Sequence, residues 1–157
     1  MYKSRLCKNL EILRFELSAL QNSRFSQTKN FMQHGSTSVY THCISVAYTS
    51  CMIAAKLNLK VDVPKMVRGA LLHDYFLYDW HECDKPLWLH GFTHPKCALA
   101  NACRDFEISS LERDIISRHM FPLTPIPPYS KEGWIVILAD KYCFFREMFA
   151  GERAWAA

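Results

Sequence analysis

A chain of 157 residues, half of them hydrophobic, is long enough for one domain with a substantial core, and only 5 glycines favour a compact helical protein over a disordered or all-β one. A formal charge of +4, without any long block of Lys or Arg, tolerates an anionic small molecule and argues against a nucleic-acid polymer as partner. The 7 cysteines, with no CxxC pair, read as reduced thiols of a cytoplasmic protein rather than a disulfide framework. His81, Cys83, Cys97 and Cys103 could in principle assemble a structural zinc site, but their spacing speaks against it. The charged N-terminus lacks the apolar run of a secretory signal. The longest apolar stretches break within about a dozen residues, too short to cross a bilayer, so no membrane association is expected.

Leu6, Leu10, Leu13, Leu17 and Leu20 recur at steps of three and four, which predicts a first helix over about Ser4 to Leu20 that covers the rest of the bundle. Residues 21 to 37 are polar, with Phe25, Phe31 and Met32 available to anchor a short helix or turn. His34, just ahead of the next helix, either approaches a ligand or is a surface or capping histidine. The second helix, about Ser38 to Leu57, carries Val39, Cys43, Val46, Ala47 and Ala54 on an inward stripe bordered by His42. Asp62-Val63-Pro64 starts the third helix, with Asp62 or a neighbour as cap and Pro64 in the first turn. It ends in His73-Asp74. A carboxylate at the end of so apolar a segment needs a cation, a donor or a metal beside it.

Residues 75 to 92 are rich in aromatics and read either as an excursion over a ligand pocket or as a loop packed by its own rings. Pro95 predicts a helix from there to about Phe106, with Thr93 or His94 at its cap, where free amides would attract phosphate oxygens beside Lys96. Ser109 with Glu112 is a capping-box pattern opening a fifth helix that runs to His119. Pro122, Pro125, Pro127 and Pro128 then enforce an extended connection, and Ser130 opens a last helix to about Phe149. Asp140 stands in that helix among Ile135, Ile137, Leu138, Ala139 and Phe144, a second carboxylate in an apolar setting.

His42, the His73-Asp74 pair and Asp140, each on its own helix, form the ordered pattern of the HD superfamily of metal-dependent phosphohydrolases, which the sequence resembles from about Gln33 to Phe149. With His94 and His119 between the pair and the final aspartate, it is similar to the branch that holds two metals. The resemblance implies an all-α fold, a compact bundle of about six helices with the metal site in its core. It implies a single domain over 1–157, in which 1–32 cover and 33–149 bind metal. It further implies one metal on His42, His73, Asp74 and Asp140 and a second on His94 and His119, bridged by Asp74. His90 competes with His94 for the same role.

The implied cofactors are one or two divalent ions per chain (Fe, Mn, Zn, Co, Ni or Mg). The implied reaction is cleavage of a phosphate ester or anhydride of a nucleotide or other small molecule by a metal-activated water. Asp74, His73 and Lys141 would be catalytic, and His34, His90, Lys96, Arg118 and Lys141 would contact substrate, with Arg68 a further cation to weigh. Each of these cations is more often a surface charge. A non-catalytic nucleotide-binding module and a di-iron oxygenase are the alternative readings, and a homodimer is compatible with all three. The residues after the pair, Tyr75-Phe76-Leu77, depart from the cyclic-dinucleotide phosphodiesterases, and the acidic pair of the guanosine tetraphosphate hydrolases is missing. The resemblance therefore implies scaffold and metal chemistry rather than substrate.

Overall fold

The computed structural model describes residues 1–78 and 87–155, with the side chains of those residues other than 34, 87–90 and 150–155. Among them are six α-helices: α1 (Tyr2–Gln21), α2 (Val39–Lys56), α3 (Val63–Leu72), α4 (Leu87–Asp105), α5 (Ser110–Arg118) and α6 (Lys131–Trp155). A short 3-10 helix, Arg24–Asn30, and a two-stranded antiparallel hairpin, β1 (Met32–His34) and β2 (Thr37–Ser38), join α1 to α2. The all-α reading holds, and the hairpin is the one departure from it. Gly35 makes the hairpin turn, at a φ of 55° that glycine adopts without strain.

α2 is the axis of the molecule. It packs against α1 on one side, α3 on another and α6 on a third, and its Val39, Cys43, Val46, Ala47 and Cys51 are fully buried. Helix ends follow the local chemistry of the sequence. Ser38 caps α2 by accepting from the Thr41 N–H. Beyond Lys56, Asn58 takes a positive φ while the Leu59 N–H reaches back to the Ala54 carbonyl, a Schellman ending. Asp62 caps α3, with proline in the first turn, and Ser109 and Glu112 form the reciprocal capping box of α5.

Two glycines set how closely the helices approach. A Cβ at Gly69 would stand 2.7 Å from Ile115 Cδ1 and 3.1 Å from its Cβ, so α3 lies on α5 at a separation only glycine permits. A Cβ at Gly91 would meet Leu123 at 2.8 Å, which lets α4 close against the segment that follows α5. The start of α6 is fixed by Asp114 of α5, whose buried carboxylate accepts from the Ser130 hydroxyl at 2.7 Å and from the backbone N–H groups of Tyr129 and Ser130. Glu132 ties α6 to α3 by accepting from the Asp62 N–H at 2.9 Å. These anchors decide which face of α6 looks inward, and hence where Asp140 points.

The expected start of the fourth helix is corrected. α4 begins at Leu87 and runs through Pro95, so His94 lies within the helix and not at its N-terminus. An interior proline loses one backbone hydrogen bond. The helix continues through it because α4 packs on α5 and against Leu123, which holds the turns before the proline, and a strongly helical stretch, Lys96 to Ala102, follows. The free-amide phosphate site expected beside His94 is therefore absent from that position. α6 also runs six residues past the expected Phe149, to Trp155.

Candidate metal centre

His73 and His119 occupy equivalent places at the C-caps of α3 and α5, both in helical backbone conformation. The last carbonyls of a helix lack partners within it. Each of these histidines supplies one. His73 Nδ1 donates to the Ala70 carbonyl at 2.7 Å and His119 Nδ1 to the Ile116 carbonyl at 2.9 Å, in both cases three residues back. The same bond fixes the tautomer, leaving each Nε2 with its lone pair facing into the bundle.

His42, on the buried side of α2, is held from both ends by α6. Its Nδ1 is 2.9 Å from Glu147 Oε2 and its Nε2 is 3.1 Å from Asp140 Oδ1. Asp140 and Glu147 are seven residues apart, two turns on one helical face, so a single helix grips both ring nitrogens.

Asp74 stands between two groups of nitrogens. Its Oδ2 is 3.3 Å from His73 Nε2 and 3.9 Å from His42 Nε2, and accepts a 2.7 Å hydrogen bond from the Gln33 amide on the hairpin. Its Oδ1 is 3.1 Å from His94 Nε2 and 3.3 Å from His119 Nε2, and those two nitrogens are 2.8 Å apart. His42, His73, Asp74, His94, His119 and Asp140 are all buried. The loop after the pair is pinned by α4, where Asn101 donates to the Tyr75 carbonyl and Asp105 accepts from the Tyr75 hydroxyl and from Arg24.

Two metal-compatible sets emerge among the described residues, His42 with His73 and Asp140, and His73 with Asp74 and His119. Donors about 2.0–2.2 Å from one ion, at tetrahedral or octahedral angles, lie roughly 2.9–3.6 Å from one another. The distances here, from 2.8 to 3.9 Å, bracket that range. His73 Nε2 and Asp74 Oδ1 are buried and make no well-formed hydrogen bond, facing only the ion-pair contacts just given. A buried polar atom left unpaired is costly, and a cation is the partner that suits a lone pair and a carboxylate oxygen together. Imidazole and carboxylate without thiolate suit borderline to hard divalent ions. The residues fit the group.

Protons take the place of cations when no metal is held. Burial pushes His42 down, but hydrogen bonds to Asp140 and Glu147 outweigh it and lift the ring to about 10. His73 follows the same pattern, depressed by burial and raised overall by Asp74, Cys43 and Asp140. Burial raises Asp74 and Asp140, and the surrounding histidines bring both well below the ordinary carboxylate range. His119 moves the other way. Burial and the neighbouring His73 and His94 lower it despite Asp74, so its ring is held neutral.

The HD domain family model matches residues 39–144, about the span over which the sequence shows the pattern. The chain belongs to the HD domain family. No curated protein and no solved structure matches it. The HD domain is the domain of a superfamily of metal-dependent phosphohydrolases and binds divalent metals, so the buried His and Asp groups of this chain are candidates to hold such an ion.

Of the other HD-site candidates whose side chains are described, Lys141 lies nearest, with Nζ 3.6 Å from Asp140 Oδ2. Arg118 is engaged elsewhere, donating to the Pro127 carbonyl, paired with Asp114 and stacked over Tyr129. Arg68 pairs with Glu112 and lies over Phe106. Lys96 is exposed, two residues past His94 and so on another face of α4. His34 lies in β1 and His90 in the first turn of α4, but their side chains lie outside the described set. So do His81, Cys83 and most of the aromatic excursion before α4. Sequence reasoning missed Gln33 and Glu147. Glu147 had a signal, an acid two turns beyond Asp140 on a largely apolar helix. Gln33 had none, because the hairpin that aims it was not foreseen.

Proposed function

We propose that this chain hydrolyses a phosphate ester or anhydride of a nucleotide or another small molecule. The observation that carries the reading is the placing of Asp74, one carboxylate whose two oxygens face two different pairs of imidazole nitrogens. His42, His73, Asp140 and Asp74 Oδ2 would hold one divalent ion, and His94, His119 and Asp74 Oδ1 a second. When bound, such ions supply an acidified water and positive charge for the phosphoryl oxygens.

The protein's own groups do the rest. The Gln33 amide holds the Asp74 carboxylate in the plane that serves both sides. Glu147 and the two helix-end carbonyls keep three imidazoles in the tautomer that presents Nε2. His73 and Asp74 act as ligands and as the hinge between the two sides. Lys141, beside Asp140, is the cation best placed to meet a substrate phosphate, and His34 and His90 are the histidines to test next to it. No protein nucleophile is required. The free cysteines Cys43, Cys51 and Cys143, all buried, suit a reducing compartment, which agrees with a cytoplasmic enzyme. Among the described residues no helix is long and apolar enough to cross a membrane.

The test is hydrolysis of a panel of nucleotides and sugar phosphates with manganese, iron or cobalt, by the wild type and by Asp74→Ala. Loss of at least about a hundredfold in turnover, with helical content retained, is expected from removing a group on which both sides depend. Undiminished turnover in Asp74→Ala would refute the reading.

A further inference from the structure

The inward face of α6 carries Asp140 and Glu147, but its outward face is anomalous. Trp134 (43% exposed), Leu138 (59%), Tyr142 (55%), Phe145 (56%), Met148 (42%) and Phe149 (56%) stand in solvent on one helix. Residues 134, 138, 142, 145 and 149 follow steps of four, four, three and four, which confines them to a stripe about 100° wide and roughly 22 Å long. Single exposed apolar residues are ordinary, whereas a contiguous stripe of this size marks a contact surface.

We infer that this stripe is the interface of a two-fold dimer, in which α6 of one copy packs antiparallel on α6 of a second. The register of the stripe argues for a copy of the same chain. In an isologous contact residue i meets j while j meets i. Reversed about its midpoint, beside Tyr142, the stripe superposes on itself: Trp134 meets Phe149 of the partner, Leu138 meets Phe145, and Tyr142, next to the axis, meets its own copy. The last pairing sets two aromatic rings against each other at the axis and leaves Lys141 on the flank of the stripe, beside Asp140.

The area agrees with that assignment. With aromatic residues offering about 150–250 Å² each when fully covered, six residues about half exposed contribute roughly 600 Å² per copy. A standard interface needs about 800 Å² per partner. Further surface adjoins Tyr142, where an apolar groove of about 480 Å³ runs between α1, α2 and α6 and is lined by Tyr2, Thr49, Met52, Ile53 and Lys56. This inference does not depend on the phosphohydrolase reading.

The test is sedimentation equilibrium of the whole chain at rising concentration, with helical content and metal uptake followed in parallel. The wild type is expected at twice the chain mass, Leu138→Glu and Phe145→Lys each at the monomer mass, and the Leu138→Glu/Phe145→Lys double variant at the dimer mass again, because the two new charges face each other across the axis. A wild type that stays monomeric at every concentration overturns the dimer. So does a dimer that both single substitutions leave intact, and a double variant that stays monomeric overturns the antiparallel register.

Discussion

The two sides of Asp74 are built from the same donor types but backed differently. On one side His42 has a carboxylate, Glu147, behind its Nδ1 and a second, Asp140, at its Nε2. On the other, His119 has only the neutral Ile116 carbonyl behind it, and the His94 and His119 nitrogens share one oxygen of Asp74. Negative charge is concentrated on the α2–α6 side. That side is therefore expected to bind a cation more tightly and to load first, leaving the α4–α5 side as the weaker one.

The largest effect expected from breaking this asymmetry comes at Glu147. Glu147→Gln keeps the shape of the side chain and removes its charge, and partners of this kind are worth about 10–100-fold in metal affinity. Calorimetric titration with manganese should show the tighter step weakened by that factor and the weaker one unchanged. Equal weakening of both steps would remove the proposed division.

Gly69 tests the spacing between the sides. Gly69→Ala drives a Cβ into Ile115 and pushes α3, which ends in His73-Asp74, away from α5, which ends in His119. A loss of about 1–3 kcal/mol in stability is expected from such overpacking, measured by urea unfolding. The weaker metal step should suffer more than the tighter one, because only the former spans the α3–α5 contact without help from α2 and α6.

A third prediction, in pH, separates proton from metal. His42 titrates at about 10 in the fold against an ordinary value near 6.5, so the folded state holds an extra proton between the two. The metal-free protein should keep that stabilisation below pH about 6.5 and lose it progressively as pH rises toward 10. Asp74 and Asp140, brought low, give stability that is present above their ordinary values near 4 and is lost in stronger acid. Metal uptake needs the same imidazoles deprotonated, so stabilisation by metal should grow over the window in which the proton's contribution declines. Thermal melts with chelator and with manganese across pH 6.5 to 10 should diverge, and parallel curves would contradict the account.

Much of this was legible before any coordinates. His-Asp at the end of an apolar helix and Asp140 inside another are residues that burial would penalise without partners, and the structure brings them within ion-pair distance of one another. Ser109-Glu112 and Asp62-Pro64 announced their helix starts because capping is local chemistry. His94 was misplaced because Pro95 is a strong start signal and the packing on α5 and Leu123 that overrides it is not local. Where Gln33 points and which face of α6 is left outward depend on how distant elements turn relative to each other, which Gly35, Asp114 and Ser130 decide and no local pattern displays. Glu147 lay between these cases, visible as an anomaly yet unassigned until His42 was seen against it.

Asp74 is thus proposed to join two cation sites of unequal strength. The most direct test is the metal content of the untagged chain beside that of a His94→Ala/His119→Ala variant, each dialysed against manganese. About two equivalents falling to about one are expected, with the affinity of the remaining ion unchanged. One equivalent in both proteins, or loss of all metal from the variant, would contradict it.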